Sequence, residues 1–274
     1  MSTTTATGAA AFGSSRLMRI LVRTSKWAVW SRRLATLALP LVIIPIFLHR
    51  SRIIASNDFI LVEAVALSVA GIAFIAAIVA FVRLWFTGDQ GWGRAVVALL
   101  FSLLCLGPVA FLAWETLHYP EAADVTTDFA NPPQLRSFVT ARFVTPEERA
   151  RIEAAFPNAR SRNYPIAAPQ MFDVVSDLID DRGWELRSKR EPQTPLDSGE
   201  LNALVTTILG FRQEVAIRLV GSPDGATIIM RSASLTNFPD FGENGQRIEA
   251  FLLDLDNQVT LMLRDASRQP QADN

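Results

Sequence analysis

The chain has 274 residues, 50% of them hydrophobic, and its formal net charge of -1 conceals a basic part, residues 1–117, and an acidic part, residues 118–274. This division indicates two environments and argues against a nucleic-acid-binding surface. One cysteine and two histidines exclude an intramolecular disulfide and a cysteine-based metal site, and they predict no other metal site, no cofactor and no histidine-based catalytic triad.

The N-terminal segment, residues 1–33, is basic. Because its Lys and Arg residues precede the first apolar run, the positive-inside rule predicts a cytoplasmic N-terminus. Arg16, Arg19, Arg23 and Lys26 also share one face at helical spacing, which is typical of a helix lying on an anionic membrane surface. The alternative is basic charge without regular structure, and the sequence favours neither.

Three apolar runs follow within residues 34–117, and they cover residues 34–48, 59–82 and 95–114. A helix needs about 20 apolar residues to cross a bilayer, which the first run reaches only when its ends are included. Five of the six tryptophans lie near the ends of these runs, as amphipathic indole rings do at lipid headgroups. The sequence therefore predicts three transmembrane helices.

Residues 118–137 are rich in Pro, Asp, Thr and Asn and show no periodicity, which indicates a linker or an extended entry segment. A short helix should begin at Thr145, because Thr145 and Glu148 have the spacing of a capping box. A second helix is predicted over residues 169–182. A polar tail, residues 267–274, ends the chain.

Four strand-like runs and a long helix complete the acidic region. The apolar periodicity predicts strands at Trp184–Lys189, Leu201–Ile208, Glu214–Val220 and Ala226–Ser234, and then a helix with an apolar stripe at 3.6-residue spacing. This order predicts an α+β domain over residues 138–266, in which helices cover one face of an antiparallel meander of about four strands.

The loop between the last strand and the last helix concentrates polar side chains. Asp240 can cap the helix while Glu243 reaches back to it, and Arg231 can pair with Asp240 as a loop clamp. Alternatively, a helix N-terminus beside two arginines suits a carboxylate or phosphate ligand. The candidate ligand-binding residues under that second interpretation are Arg231, Ser232, Ser234, Asp240, Asn244 and Arg247.

Two motifs of this region resemble those of a bacterial and plastid family, domain of unknown function 1499. The first is "DVTTDFANPP", residues 124–133, and the second is "RSAS" followed by "DFGENGQRI". The resemblance spans most of residues 122–256. The matching positions are Thr126, Thr127, Asp128, Pro132, Pro133, Arg231, Ser232, Ser234, Asp240, Gly242, Asn244 and Arg247.

The chain departs from the family pattern at Leu235, where the family carries Arg, and at Gln213–Glu214, where it carries an acidic pair. A charged site of the family would therefore be incomplete here. The resemblance implies a domain that follows membrane spans, and it brings no assigned activity.

We therefore expect a multi-pass protein of the bacterial inner membrane with a periplasmic C-terminal domain. The predicted function is a non-enzymatic binding or accessory module, whose partners are the bilayer and an envelope protein, a lipid or a small anionic ligand. One alternative is a hydrolase or transferase that acts on an envelope substrate through the Arg231–Asp240–Arg247 region. A second alternative is a transporter that uses Glu63, near one end of the second apolar run.

Overall fold

The computed structural model describes residues 23–120, 122–137, 144–236 and 238–268. The predicted amphipathic face of Arg16 and Arg19 lies outside these residues, and so do the last six residues of the polar tail. The described chain consists of three long apolar helices followed by a separate sheet with helices.

The three predicted spans are confirmed as helices that are long and apolar enough to cross a membrane. They are α1 (Lys26–Arg50), α2 (Ser56–Thr87) and α3 (Trp92–His118). Each extends beyond its apolar run, so even the 25-residue α1 is about 38 Å long at 1.5 Å per residue, more than the roughly 30 Å of a hydrocarbon core.

Small residues hold the three helices together. The side chains of a series of alanines are buried between the helices, while large apolar side chains such as Ile43, Ile72 and Leu104 face outward. Small interfacial residues let helix backbones approach closely, which is how helices associate within lipid. The buried members of the series are Ala28, Ala35, Ala38, Ala70, Ala73, Ala77, Ala80, Ala95 and Ala98.

The C-terminal region confirms the predicted α+β class. Its elements are β1 (Asp124–Thr126), α4 (Pro146–Ala155), β2 (Arg162–Tyr164), α5 (Ala168–Asp181), β3 (Glu185–Arg190), β4 (Ser198–Thr206), β5 (Arg212–Ser222), β6 (Gly225–Ser234) and α6 (Glu243–Arg268). Strands β3 to β6 form the predicted antiparallel meander, and the Thr145–Glu148 capping box begins α4 as expected.

The sheet has six strands because two short strands join the edge of β6. β1 pairs with one part of β6 and β2 with another, both antiparallel. At three residues each, they are too short for an alternating pattern to reveal them. β1 lies inside residues 118–137, which the sequence indicates as a linker or an extended entry segment, so three residues of that segment join the sheet.

Helices α5 and α6 cover one face of the sheet, which we call the helix face. The apolar stripe predicted for the last helix is buried there, with Ile248, Phe251, Leu252 and Leu255 fully inaccessible. They pack with the inward side chains of β4, β5 and β6 in a single core. Removing this apolar surface from water is the main source of stability for the domain.

The opposite face, which we call the entry face, is covered by the extended segment that follows β1. Polar side chains of the sheet bind the backbone of this segment. Asn202 Nδ2 donates to the carbonyl of Gln134 at 3.0 Å, and the carboxylate of Glu214 accepts from the amides of Arg136 and Ser137 at 2.6 and 2.8 Å. The segment therefore serves as a second covering layer.

Candidate functional site

The alternation of strand β6 separates residues that are neighbours in the sequence. Ser232 and Ser234 point to the helix face, whereas Arg231 and Ala233 point to the entry face, because successive side chains of a strand alternate. The predicted clamp between Arg231 and Asp240 is therefore wrong. The six candidate residues do not converge at one place, since Arg231 lies on the opposite side of the sheet from the other five.

Arg231 instead forms a buried ion pair with Asp124, the first residue of the family-like entry motif. Its Nε and Nη2 donate to the two carboxylate oxygens of Asp124 at 2.9 and 2.5 Å. The side chains are only 8% and 12% exposed, and Nη1 donates to the carbonyl of Pro133. The hydrogen bonds that Arg231 donates to Asp124 raise the pKa of the arginine. This arginine holds the entry segment on the sheet and is not free to bind a ligand.

The remaining candidates form a connected polar cluster beneath α6. Ser232 Oγ donates to Asn244 Oδ1 at 2.7 Å, and Asn244 Nδ2 donates to Ser234 Oγ and to Asp240 Oδ2, both at 3.0 Å. Arg247 Nη1 donates to Ser232 Oγ at 3.1 Å. Because Asn244 is fully buried and meets every other member, it is the centre of the cluster.

Asp240 caps the start of α6, but it does not form the expected reciprocal cap with Glu243. The amide of Asn244 donates to Asp240 Oδ2 at 3.3 Å, as a capping residue requires. The expected return contact from Glu243 is absent, because its carboxylate lies 3.2 Å from Gln213 Nε2 and 3.7 Å from Arg247 instead. Burial raises the pKa of Asp240, and nearby amides, including those of Gly242 and Ala122, only partly oppose that rise.

Burial also governs the ionisation of the two charged neighbours of the cap. It raises the pKa of Glu243, against the opposing effect of Arg247, and it lowers the pKa of Arg247. Both shifts have the sign that desolvation of a charged group produces. Two carboxyl groups and one guanidinium therefore share this small region.

Aromatic rings fill the space beside the first turn of α6. A Cβ atom at Gly242 would lie 2.6 Å from Cγ of Tyr119, and one at Gly245 would lie 2.4 Å from a ring carbon of Phe156. The two rings stack with centroids 5.4 Å apart. The glycines therefore admit these side chains, and the geometry does not favour the predicted anion site at this helix terminus.

A small cavity of about 30 Å³ opens next to the cluster, between the C-terminal domain and α3. It is lined with apolar surface by Leu112 of α3, Phe211 of the β4–β5 turn and Phe238 of the β6–α6 loop. Gln213 and Asp240 also line it, and both are 3% exposed. Sequence reasoning missed Gln213 and Phe211, although the departure at Gln213 from an acidic pair was a visible signal.

Two acceptor atoms of these lining residues have no hydrogen bond within the part of the chain that the structure describes. They are Gln213 Oε1 and Asp240 Oδ1. The amides of Gly242 and Ala122 lie close enough to Asp240 to stabilise its charge, but neither makes a hydrogen bond of acceptable geometry to Oδ1. Buried acceptors without partners are rare and call for an explanation.

A larger cavity of about 150 Å³ lies between β1 and α4, where Val144, Arg151 and Ile152 line it. Among the described residues that line this cavity, none has a buried side-chain nitrogen or oxygen atom without a hydrogen-bond partner. This cavity is larger than the one beside the polar cluster, but its lining offers no buried polar atom that needs a partner.

The cluster contains hydroxyl groups but lacks an arrangement that would activate one. Ser232 Oγ is held between Asn244 and Arg247, neither of which accepts its proton as a general base. Over the described residues, no group of three or more His, Cys, Asp and Glu side chains is placed to hold a metal ion. The geometry therefore supports binding and positioning more directly than nucleophilic chemistry.

Comparison with known proteins agrees with the motif resemblance. The family described as "Protein of unknown function (DUF1499)" matches residues 124–255, just under half of the chain. The match begins at Asp124 in β1 and ends within α6, so it covers most of the C-terminal α+β region and omits the three long apolar helices. No curated protein and no solved structure matches the chain.

Proposed function

Since residues 124–255 belong to the DUF1499 family of proteins of unknown function, which brings no activity with it, we propose a binding role for the protein. It is a non-enzymatic, membrane-anchored binding or accessory module of the bacterial envelope. Its domain lies on the periplasmic side of the inner membrane, because the basic N-terminal segment precedes an odd number of spans.

The observation that carries this proposal is the joint between the domain and its own membrane helices. At the end of α1, His49 Nδ1 lies 2.7 Å from the carbonyl of Leu209 in the β4–β5 turn, and its ring packs against Phe59 and Phe211. Arg50 Nη1 donates to the carbonyl of Thr207 at 3.2 Å. A domain fixed in this way presents the end of its sheet that carries the β4–β5 turn to the bilayer surface.

An exposed apolar side chain in the β4–β5 turn supports the same role. Ile208, in the β4–β5 turn, is 85% exposed, although it lies beside the residues that meet α1. An exposed isoleucine at the level of the headgroups can enter the interface, or it can contact a partner in the membrane. The position therefore favours an envelope lipid or membrane protein as the bound component.

Site-directed photo-crosslinking in cells tests the proposal. A photoreactive residue at Ile208 should give adducts with a lipid or a membrane protein. The matched control is Leu196, which is 64% exposed in the β3–β4 loop, at the opposite end of the strands. It should give none. Native mass spectrometry of the full-length protein in detergent should in parallel show a retained ligand. No adduct at Ile208 together with no retained ligand would refute the binding role.

A hydrolase or transferase remains the second candidate, favoured by the raised pKa of buried Asp240. A carboxyl group whose pKa is raised by burial is suited to general acid or base chemistry. An activity screen against envelope glycans and lipids should then find turnover that Asp240→Asn abolishes. Equal turnover by the variant and the wild type would remove Asp240 from any such mechanism.

A further inference from the structure

The joint between α1 and the β4–β5 turn carries two arginines and two exposed isoleucines. We propose that these four residues, which we call the joint surface, bind an anionic phospholipid, and this rests on the proposed binding role. The members are Arg50 and Arg52 at the end of α1, Ile53 after it, and Ile208 in the turn. Arginine suits a phosphate group because its planar guanidinium can donate two parallel hydrogen bonds to it.

The backbone gives Arg52 an unusual position. Helix α1 ends in a Schellman motif, in which the amide of Ile53 donates to the carbonyl of Leu48 at 2.9 Å and the amide of Arg52 to that of His49 at 3.0 Å. The motif holds Arg52 in the left-handed region, at φ 61°. Glycine is the usual residue there, because a Cβ atom disfavours this conformation. An arginine kept in a strained position points to a function of its side chain.

Contacts within the protein do not account for the Arg52 side chain. Its Nη2 lies 3.8 Å from Glu185 Oε2, too far for a hydrogen bond, and the two side chains are 62% and 52% exposed. Ion pairs between exposed side chains contribute little to stability. Glu185 is also shared, because Arg187 Nη2 lies 3.3 Å from its other carboxylate oxygen. The guanidinium of Arg52 is therefore accessible to a ligand.

Arg50 is exposed and only partly engaged. Its Nη1 donates to the carbonyls of Thr207 at 3.2 Å and Ile208 at 3.4 Å, which holds the guanidinium beside the turn. Within the part of the chain that the structure describes, its Nε and Nη2 make no hydrogen bond. A guanidinium that is already held at one nitrogen loses less conformational freedom when the others bind a phosphate.

The charge around the joint surface favours an anion. Three guanidiniums lie near two carboxylates, and these groups belong to Arg50, Arg52, Arg187, Glu185 and Asp58 in the first turn of α2. The excess is positive. Basic residues are usually sparse in short loops on the membrane side opposite a basic N-terminal segment. The dipole of α1 favours a cation at its end, but it does not explain an arginine at the strained position.

Exposed apolar side chains adjoin both arginines. Ile53 is 68% exposed and directly follows Arg52, and the exposed Ile208 is the residue whose carbonyl accepts from Arg50. Because α1 is longer than the hydrocarbon core is thick, its last turn reaches the level of the headgroups. A phospholipid offers a phosphate and apolar chains at this level, and each guanidinium can contact a phosphate separately. The joint surface therefore fits a lipid better than a soluble anion.

Photo-crosslinking of the full-length protein in vesicles tests the joint surface at its own position. A photoreactive apolar residue replaces Ile53, and the vesicles contain equal amounts of phosphatidylglycerol and phosphatidylcholine. Adducts with phosphatidylglycerol should exceed those with phosphatidylcholine by at least about fivefold, which is the scale of one arginine near an anionic lipid. Equal yields of the two adducts would overturn the proposal.

Variants assign the preference to the arginines. Arg50→Gln combined with Arg52→Gly should bring the two adducts to equal yield. The control Arg190→Gln should preserve the preference, because Arg190 contacts Ser198 and Glu200 at the other end of β3. A preference that survives in the double variant would show that the arginines do not bind the lipid.

Arg52→Gly alone separates binding from a structural role. Glycine adopts the left-handed conformation without strain, so this variant should not lower the melting temperature in detergent without anionic lipid. It should nevertheless reduce the preference for phosphatidylglycerol. A lower melting temperature with an unchanged preference would assign Arg52 to the fold and contradict the proposal. Arg52→Gln, which removes the charge and keeps a long side chain, should reduce the preference as well and replaces Arg52→Gly if that variant does not fold.

Inorganic phosphate decides whether the lipid chains matter. At millimolar concentration it should leave the phosphatidylglycerol adducts unchanged, because it offers nothing to the two isoleucines. Loss of the adducts would indicate a simple anion site and would overturn the assignment to a lipid. If Ile208 gives adducts with a membrane protein in cells while Ile53 shows no lipid preference in vesicles, the binding role stands and the lipid assignment alone fails.

Discussion

Arg231 is the residue on which the covering of the entry face depends. It is 6% exposed, and it joins Asp124 at the start of the entry segment to Pro133 near the end of the family-like motif. A buried charge that loses its partner is costly, because neither water nor another ion replaces it. The pair therefore explains why both motifs, distant in sequence, belong to one domain.

Replacing Arg231 by alanine should destabilise the domain by about 3–5 kcal/mol, since Asp124 would remain buried without a counterion. Thermal unfolding of the purified protein measures the loss. Arg149→Ala is the control, because Arg149 pairs with Glu153 on an exposed helix face and should contribute at most about 1 kcal/mol. Similar losses in the two variants would contradict the assigned role of Arg231.

Asp240 makes the stability of the domain depend on pH. Because burial raises its pKa above 3.8, the folded protein binds this proton more tightly than the unfolded chain does. Its contribution to stability is therefore fully present below pH 3.8 and is lost as the pH rises through the raised value.

Asp240→Asn should consequently flatten the fall in melting temperature between mildly acidic and neutral pH. The variant keeps an amide oxygen that can accept from Asn244, so the cap itself survives. The slope should decrease without vanishing, because burial raises the pKa of Glu243 in the same direction. An unchanged slope in Asp240→Asn would show that this carboxyl is not the titrating group.

Among the elements, the β4–β5 turn has the most specific surroundings. It contacts the end of α1 through His49 and Arg50. A Cβ atom at Gly210 would lie only 2.9 Å from the backbone of Arg50 and from the ring of His49. The φ of Gly210 is +92°, which side chains disfavour. Glycine is therefore needed at this position both for the turn and for its contact with α1.

His49→Ala should loosen this turn from the membrane helices. Its Nδ1 lies 2.7 Å from the carbonyl of Leu209 in the turn, whereas its Nε2 lies 3.0 Å from Ser56 Oγ in α2. The loss of the one hydrogen bond to the turn, of about 1 kcal/mol, corresponds to a roughly fivefold rise in local opening. Hydrogen–deuterium exchange at the amides of Gly210 and Phe211 measures that opening.

The other histidine provides the matched control for this experiment. His118 is exposed, and its Nδ1 contacts the carbonyl of Trp114 in its own helix. His118→Ala should therefore leave exchange in the β4–β5 turn unchanged. Equal exchange in His49→Ala and the wild type would mean that the joint does not depend on this ring.

For the whole molecule, three spans place the loop between α2 and α3 beside the N-terminal segment and away from the domain. The backbone agrees with this arrangement, because the amide of Ser25 donates to the carbonyl of Gln90 at 3.1 Å and the amide of Gln90 to the carbonyl of Arg23. The β4–β5 turn meets the opposite end of the bundle.

Cysteine labelling in intact cells should therefore distinguish the two sides. Ile208→Cys should react with a membrane-impermeant maleimide added outside the inner membrane, whereas Gln90→Cys should react only after permeabilisation. The single native cysteine, Cys105, is 4% exposed within α3 and should give little background. The reverse pattern of labelling would overturn the proposed orientation.

The sequence by itself determined the elements whose signals are local. Apolar runs revealed three helices long and apolar enough to cross a membrane, strand-like runs revealed the four long strands, two of them by period-2 alternation, and the spacing of Thr145 and Glu148 revealed a helix start. The family resemblance likewise depended on short motifs that remain legible without a structure. These features depend on residues close together along the chain.

Only the tertiary structure decided which of the motif residues meet. Arg231 and Ser232 are adjacent in sequence, yet one contacts Asp124 and the other Asn244, because strand β6 directs them to opposite faces of the sheet. Likewise, Gln213 and Leu112 line one cavity only because the domain folds back onto α3. Contacts between distant segments depend on packing across the sheet and on docking against the membrane helices, and no local pattern encodes either.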